Sequence, residues 1–405
     1  MTEKADIIII GAGAAGLMAG IWAARTHPSR KIIALDGAKK LGAKILVAGG
    51  GRCNVTHDEV DADAFAGGSR NAIRKLLLRY DVLDTITFFR DLGVKLKRED
   101  SGKLFPVSNQ AQTILDALLR AAAPVSIRTE HRVESIDHQP DGFTVSGSWG
   151  SLRASKVILA AGGMALPKSG SDGGAYAFAQ ALGHSLTERI FPALVPLTLP
   201  PNHFITTLPG ITLYTTLEVR SASGKKLVSF TDSTLCTHFG LSGPAVLDIS
   251  RYYLDAKAAD PGASLVINWL PSKTVESVDR DLLALDRSSP LKYLGDLPDR
   301  LARMLCREAD IEPSTRASQL SRPARQRLAR TLTEMPLPIT GDRGFTYAEV
   351  TAGGIPLDEI KLETMESRFC PGLHLCGEIC DVDGRIGGYN FQWAWSSGYV
   401  AGISV

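Results

Sequence analysis

Ile7-Ile8-Ile9-Ile10-Gly11-Ala12-Gly13-Ala14-Ala15-Gly16 is the stretch on which the fold turns. Four consecutive isoleucines read as a strand buried on both faces, as inside a parallel sheet. The strand, Ala5 to Ile10, runs into a turn that fits G-x-G-x-x-G, and a helix follows from about Ala14 to Thr26. Gly11 permits the tight turn, Gly13 lets a pyrophosphate approach the main chain, and Gly16 lets helix and strand pack closely. Ala14 and Ala15 open the helix, whose free N–H groups and positive dipole end suit an anion. His27-Pro28 ends the helix, because proline disfavours helical geometry just before it. A second strand, Lys31 to Leu35, closes with Asp36. Strand, turn, helix and strand in this order open a doubly wound α/β sheet. A carboxylate at Asp36 can accept both hydroxyls of an adenine ribose and would repel a 2′-phosphate. The expected ligand is therefore FAD or NAD rather than NADP.

Composition sets the frame. The chain has 405 residues, too many for one compact core, so two or three domains are expected. Net charge is +2, which recruits neither nucleic acid nor an acidic membrane surface. No apolar run approaches the ~18 residues of a spanning helix, and the start has no secretory h-region. A cytoplasmic protein is expected, with no membrane partner. Cys53, Cys236, Cys306, Cys370, Cys376 and Cys380 form no CxxC pair and lack the histidines of a zinc site, so reduced buried thiols and no metal are expected.

Further along, Asn71 to Leu92 reads as helical, and Ser108 as the cap of a helix ending near Ala122. Asp141-Gly142 signals a hairpin. The prolines at 192, 196, 200, 201 and 209 mark a crossing into a second domain. That domain opens with alternating strands, Thr212–Arg220 and Lys226–Thr231. From about Thr274 to Thr333 it is helical and rich in arginine. Arg316, Arg322, Arg325, Arg327 and Arg330 read as a solvated face, since no aromatic interleaving accompanies them. After Pro336 and Pro338 short strands and glycine turns return. The expected division is 1–190, 191–338 with a helical part at about 274–333, and 339–405.

Three clusters separate FAD from NAD. The first is Gly49-Gly50-Gly51-Arg52-Cys53-Asn54, preceded by Lys44. Three adjacent glycines suit neither a helix nor a central strand, but suit a chain passing against a flat ring system. Arg52 and Lys44 can offset charge on a pyrophosphate or a reduced flavin. The second is the strand Val157 to Ala160 ending in Ala161-Gly162-Gly163, with the main chain of Val133 expected at the adenine. The third is Gly377-Glu378, Asp383, then Gly387-Gly388-Tyr389-Asn390. Here a strand ends and a helix begins, so N–H groups can aim at a flavin carbonyl. Glu378 or Asp383 can accept from ribityl hydroxyls. NAD needs no second half-site so far along the chain.

These motifs resemble those of the BaiN/YhiN-like flavoproteins, distant relatives of the fumarate reductase and aspartate oxidase flavoproteins. The resemblance rests on GAGAAG with its acid, GGGRCN, AAGG, VTAGGI (Val350 to Ile355), the ending GE-x2-D-x-DG-x2-GGYN-x-QWAWSSG, and Thr237 to Pro244. Asp36 departs from it, since glutamate is the expected acid there. The resemblance implies a Rossmann-like two-part FAD-binding domain, interrupted by a β-barrel-like domain with a helical cap. It also implies reduction of enone-type dehydro-bile acids or, in some relatives, oxidation of small amines.

The leading expectation is an FAD-dependent oxidoreductase acting on a small unsaturated or keto substrate by hydride transfer at flavin N5, with transient NAD(P)H as one donor. His238 is the candidate acid, expected to face the flavin across a domain cleft. Arg52 and Arg385 are candidates for holding an anionic substrate, and Thr351 and Gly353 for lining the reactive edge. No nucleic-acid partner is expected on this reading. Three alternatives stay open: an amine oxidase using O2, a flavin-bound RNA-modifying or redox-sensing protein, and a simple NAD-binding protein.

Overall fold

The computed structural model describes residues 3–405. It divides into two compact units, one built from the residues up to Pro192 together with Ala348–Val405, the other from Ala193–Tyr347.

The first unit is a Rossmann-type α/β domain. Its sheet contains β1 (Glu3–Ile10), β2 (Ile32–Leu35), β3 (Ser126–Arg128), β4 (Gly150–Leu159) and β5 (Leu373–Leu375). They lie side by side as β3-β2-β1-β4-β5, all parallel. This is the strand order of a dinucleotide-binding sheet, with its reversal beside β1. Ile7 to Ile10 are at most 4% exposed, and β1 is flanked on both sides. Each such side chain contributes roughly 1.5–3 kcal/mol of burial. β5 comes from the far end of the chain, so the sheet is complete only when both ends of the sequence meet.

Helix α1 (Ala14–Thr26) follows β1. Helix α2 (Ala43–Gly51) begins regularly but breaks at Ala48, and Gly49, Gly50 and Gly51 all have positive φ. The glycines are thus a left-handed turn rather than a helix, as their run suggests. The stretch expected as one helix from Asn71 is two, Arg70–Leu77 and Val82–Asp91, divided where Asp81 and Asp84 form a capping box. Ser108 does not cap the next helix. Gln110 is at that position, and Ser108 Oγ accepts from its N–H at 3.4 Å.

The last helix, α3 (Tyr389–Ser404), packs directly on α1. A Cβ at Gly398 would fall 2.6 Å from the Ala15 carbonyl oxygen, and one at Gly402 would strike that of Ala19. Glycine is required here for close approach of two backbones.

The second unit has its own core. Its seven-stranded sheet runs Met335–Leu337, Ser264–Asn268, Thr212–Arg220, Lys226–Thr237, Gly240–Ser242, Leu197–Thr198, Gly341–Asp342, with antiparallel neighbours. Along Thr212–Arg220 the residues Thr215, Leu217 and Val219 are buried in alternation, as one face of a half-buried strand requires. The chain returns to the first unit only at Ala348, later than the prolines at 336 and 338 suggest. Pro336 sits in the terminal strand of the sheet, opposite Val266. There its missing N–H costs no ladder bond. In the arginine-rich segment, Arg325 pairs with Asp279 at 3.0 Å, while Arg316, Arg322 and Arg330 are exposed.

Replacing Gly402 with valine is expected to destabilise the fold by about 1–3 kcal/mol, the usual cost of overpacking. A denaturation midpoint equal to that of the unchanged protein would remove the argument for close helix contact.

Candidate functional site

Gly11 and Gly16 fit the turn and packing roles expected of them, and Gly13 is left open. Gly11 has φ +93°, and a Cβ there would come within 2.6 Å of the Ala160 carbonyl oxygen. A Cβ at Gly16 would overlap the Gly11 carbonyl. At Gly13 a Cβ would meet nothing within 4 Å, and Gly13 caps α1 without any side-chain bond to its first N–H groups. The loop is therefore packed at its first and third glycines and open at the second.

Asp36 braces this turn. Its Oδ2 accepts from the Ala12 N–H and its Oδ1 from the Ala38 N–H, both at 2.8 Å. A carboxylate has about four acceptor positions, so two remain open. The His131 N–H donates to the Asp36 carbonyl at 2.8 Å, which brings the buried Val133 segment alongside. Ala161 and Gly162 continue from β4 beside Gly11, and Gly162 lies against Ser171.

The tail closes the site from the other side. A Cβ at Gly377 would stand 2.7 Å from that of Ala15, so the Gly377-Glu378 pair lies at the mouth of α1. Its neighbours in α3 hold it there. The Gly377 N–H donates to Ser397 Oγ at 3.0 Å, and Trp393 Nε1 donates to the Gly377 carbonyl at 3.0 Å. Trp395 Nε1 donates to the Val55 carbonyl at 2.9 Å. The wholly buried Gln392 accepts from Thr56 and Thr85 and donates to the carbonyls of Tyr80 and Asp81. The QWAWSS run is thus a set of hydrogen-bonded clamps.

Glu378 is the hub of a polar network. Its Oε2 receives Lys44 Nζ at 2.6 Å, and its Oε1 receives the N–H and hydroxyl of Thr351 at 3.1 and 2.9 Å. Thr351 Oγ1 in turn accepts from the N–H groups of Met164 and Ala165. Lys44 also reaches Ser171 Oγ at 3.3 Å. Of the ammonium's three donors, two are used in this way. The hydroxyl of Tyr176 is buried without a hydrogen-bond partner among the described residues. Burial and then the nearby Glu378 raise its pKa. Sequence reading missed Ser171 and Tyr176. The glycines at 170, 173 and 174, just after Ala161-Gly162-Gly163, were the available signal.

Around the glycine run, Arg52 is bound at 2.6 Å to Glu99, and its guanidinium lies 3.9 Å over the Phe105 ring. Cys53 has φ +60° and is fully buried, and burial pushes its thiol up to about 12. Asn54 Oδ1 is buried with no partner among the described residues. Gly50 faces open space. Gly388 packs on the Thr56 main chain, next to Gly387, and the Tyr389 ring stacks on His57 at 5.0 Å. Asn390 turns its amide back on the Gly384 main chain, with both bonds at 2.8 Å. Asp383 is buried in a strand pairing with Phe65–Gly67. Arg385 is half-buried, and its N–H donates to the Ala64 carbonyl. His238 belongs to the other unit, exposed in the turn after Lys226–Thr237 with its ring edge-on to Phe239.

A β3-β2-β1-β4-β5 sheet, an open glycine turn at its reversal point and a tail that closes over it define an oxidoreductase of the Rossmann-type flavoprotein class. Within that class, the chain belongs to the family described as HI0933-like protein Rossmann domain, matched over residues 5–404. It is 34% identical to the 3-dehydro-bile acid delta(4,6)-reductase of Clostridium scindens, across 97% of each chain. It is also 34% identical to the ribosomal RNA dihydrouridine synthase of Escherichia coli, across 98% of this chain and 97% of that one. The second name stands against the expectation that nucleic acid has no part. Among solved structures the chain resembles the E. coli quinol fumarate reductase FrdA, with TM-score 0.52 and 15% identity, covering all of this chain and 70% of that one. It also resembles the 3-ketosteroid delta1-dehydrogenase of Sterolibacterium denitrificans, with TM-score 0.51 and 12% identity over the whole of both chains. At these identities the likeness is one of fold. No helix among the described residues is long and apolar enough to cross a membrane.

All six cysteines are buried free thiols, and burial also pushes Cys236 and Cys376 up to about 12. Since only the thiolate alkylates readily, the folded protein is expected to resist iodoacetamide for about an hour at about pH 8 and to label fully in urea. Rapid native labelling of Cys53, read by peptide mass spectrometry, would contradict this environment.

Proposed function

We propose that this protein is an FAD-dependent reductase of a carbon–carbon double bond conjugated to a carbonyl. The observation that carries the reading is a shared chemical step. Two relatives, each 34% identical over nearly the whole chain, are named for a bile-acid delta(4,6)-reductase and a dihydrouridine synthase. A 3-dehydro-delta(4,6) steroid and a uracil ring both present an alkene in conjugation with a carbonyl, and both names describe its saturation.

The residues present fit FAD. The turn is open at Gly13, a buried acceptor at Asn54 lacks a partner among the described residues, and the tail meets the head of α1 at Gly377. Gly13, Ala14 and Ala15 would receive the pyrophosphate, and Asp36 the adenine ribose. Lys44 has one donor left for an anionic group, and Glu378 Oε2 one acceptor position left for a ribityl hydroxyl. Gly50, Gly51 and Asn54 would lie along the ring system, with the α3 N-terminus at Gly388, Tyr389 and Asn390 at its carbonyl end. Bound FAD, once reduced by an external two-electron donor, would supply the hydride for the electron-poor carbon, and the neighbouring carbon would take a proton. Cys53 stays a neutral thiol and takes no part as a nucleophile. A second substrate reading, uridine in RNA, is favoured by the dihydrouridine synthase relatives and leaves the chemistry unchanged.

The test is anaerobic mixing of the dithionite-reduced holoprotein with a 3-oxo-4,6-diene steroid or a uridine-containing RNA oligonucleotide. Reoxidation of the flavin band at roughly 1 per second or faster, with the saturated product recovered, is expected for one of them. A band that stays reduced with both, yet bleaches in the oxidised protein on adding a small amine, would replace this reading with an amine oxidase. NADH and NADPH added to the oxidised holoprotein separately test the donor.

A further inference from the structure

The Ala193–Tyr347 unit contains an arginine, Arg343, whose guanidinium has no hydrogen-bond partner among the described residues. The strand Leu197–Thr198 pairs on one side with Gly240–Ser242 and on the other with Gly341–Asp342. Phe239 immediately precedes the first of these neighbours, and Arg343 immediately follows the second. The Arg343 guanidinium lies 4.3 Å from the centre of the Phe239 ring and 3.8 Å from that of Tyr347. Both rings therefore hold it at stacking distance.

The backbone around it is tied down. The Arg343 N–H donates to the Pro196 carbonyl at 3.1 Å, the Gly344 N–H to Asp342 Oδ1 at 2.6 Å, and the Tyr347 N–H to the Gly344 carbonyl at 3.0 Å. Among the described residues, however, no carboxylate, carbonyl or hydroxyl accepts from the guanidinium itself. Arg52, Arg132, Arg220 and Arg325 each have a carboxylate partner. Tyr347 is 52% exposed, and His238 is exposed with its ring against Phe239 at 5.1 Å. The site is open to solvent.

Aromatic contact at the faces of a guanidinium leaves its N–H groups, which lie in the plane, free to donate. It also lowers the entropy lost when the fork engages a ligand. A planar cation fixed in this way suits a bidentate oxyanion, either a carboxylate or a phosphate oxygen pair.

We propose that Arg343, held against Phe239 and Tyr347, is an oxyanion-recognition site for a ligand carrying a carboxylate or a phosphate. This rests on the reductase reading only for which molecule brings the anion. The anion is either the side-chain carboxylate of a small enone acid or a phosphodiester of uridine-containing RNA.

The experiment follows phenylglyoxal labelling of Arg343 in the holoprotein by peptide mass spectrometry, with the exposed Arg79 as an internal control. The probes are a 3-oxo-4,6-diene steroid carrying a carboxylate, its uncharged methyl ester, and a short uridine-containing RNA. One anionic probe is expected to slow labelling of Arg343 severalfold while Arg79 is unchanged and the ester gives no protection. Protection by the acid identifies a small carboxylate, and protection by the RNA identifies a phosphodiester. Arg343→Gln and Arg343→Lys are each expected to weaken binding of the protecting probe roughly ten- to hundredfold, since lysine keeps the charge but loses the fork. Labelling that neither anion slows, or that the ester slows equally, overturns the proposal. If the ester reoxidises the reduced flavin and no anion protects, the reductase reading stands and the site falls. If an anion protects and no alkene reoxidises the flavin, the site stands and the reductase reading falls.

Discussion

The packing of α3 on α1 is the contact on which the first unit depends. It joins the last residues of the chain to the first helix, around an insertion with a core of its own. Gly398 and Gly402 make it possible, because any larger side chain there would meet a carbonyl of α1. Once the helices touch, Ser397 and Trp393 hold Gly377 by its N–H and carbonyl. Gly377 then rests on Ala15, at the open end of the glycine turn. Close helix packing thus becomes the placement of the tail beside the open glycine turn that follows β1.

Electrostatics reinforces the same junction. Lys44, Glu378 and Thr351 come from three distant parts of the chain and meet within hydrogen-bond distance. The ion pair is half-buried, so it is worth more as a positional constraint than as stability. Each partner keeps capacity for a further bond, as expected of groups that orient a ligand while holding one another. The thiol environment acts in the opposite sense. Cys53 lies inside the most distinctive motif of the sequence, yet burial keeps it neutral.

The doubly wound sheet was legible from the sequence because its signals are local. Four isoleucines, a G-x-G-x-x-G turn and an acid closing the next strand require nothing beyond a short stretch of chain. The two-part arrangement was also legible, since glycine clusters at both ends ask for a common partner. Other features were not. Pro336 and Pro338 looked like a boundary because proline usually ends an element, whereas a sheet edge accepts Pro336 without loss. Ser171 and Tyr176 carried no pattern of their own, and only the folded loop brings them to Glu378 and Lys44. Arg343 was invisible, since its environment is made by Phe239 and Tyr347, which periodicity does not connect to it.

What the sequence determined by itself was the backbone chemistry. Glycine spacing dictates where the chain turns left-handed or approaches another backbone, and a run of β-branched residues dictates a buried strand. Tertiary structure alone decided which polar side chains are spent and which are spare. Arg52, conspicuous in its motif, is taken up by Glu99 and Phe105, while Arg343, in no motif, keeps its donors. The physical reason is that conformation is set by each residue and its neighbours in the chain, whereas the availability of a charge is set by what folding places around it.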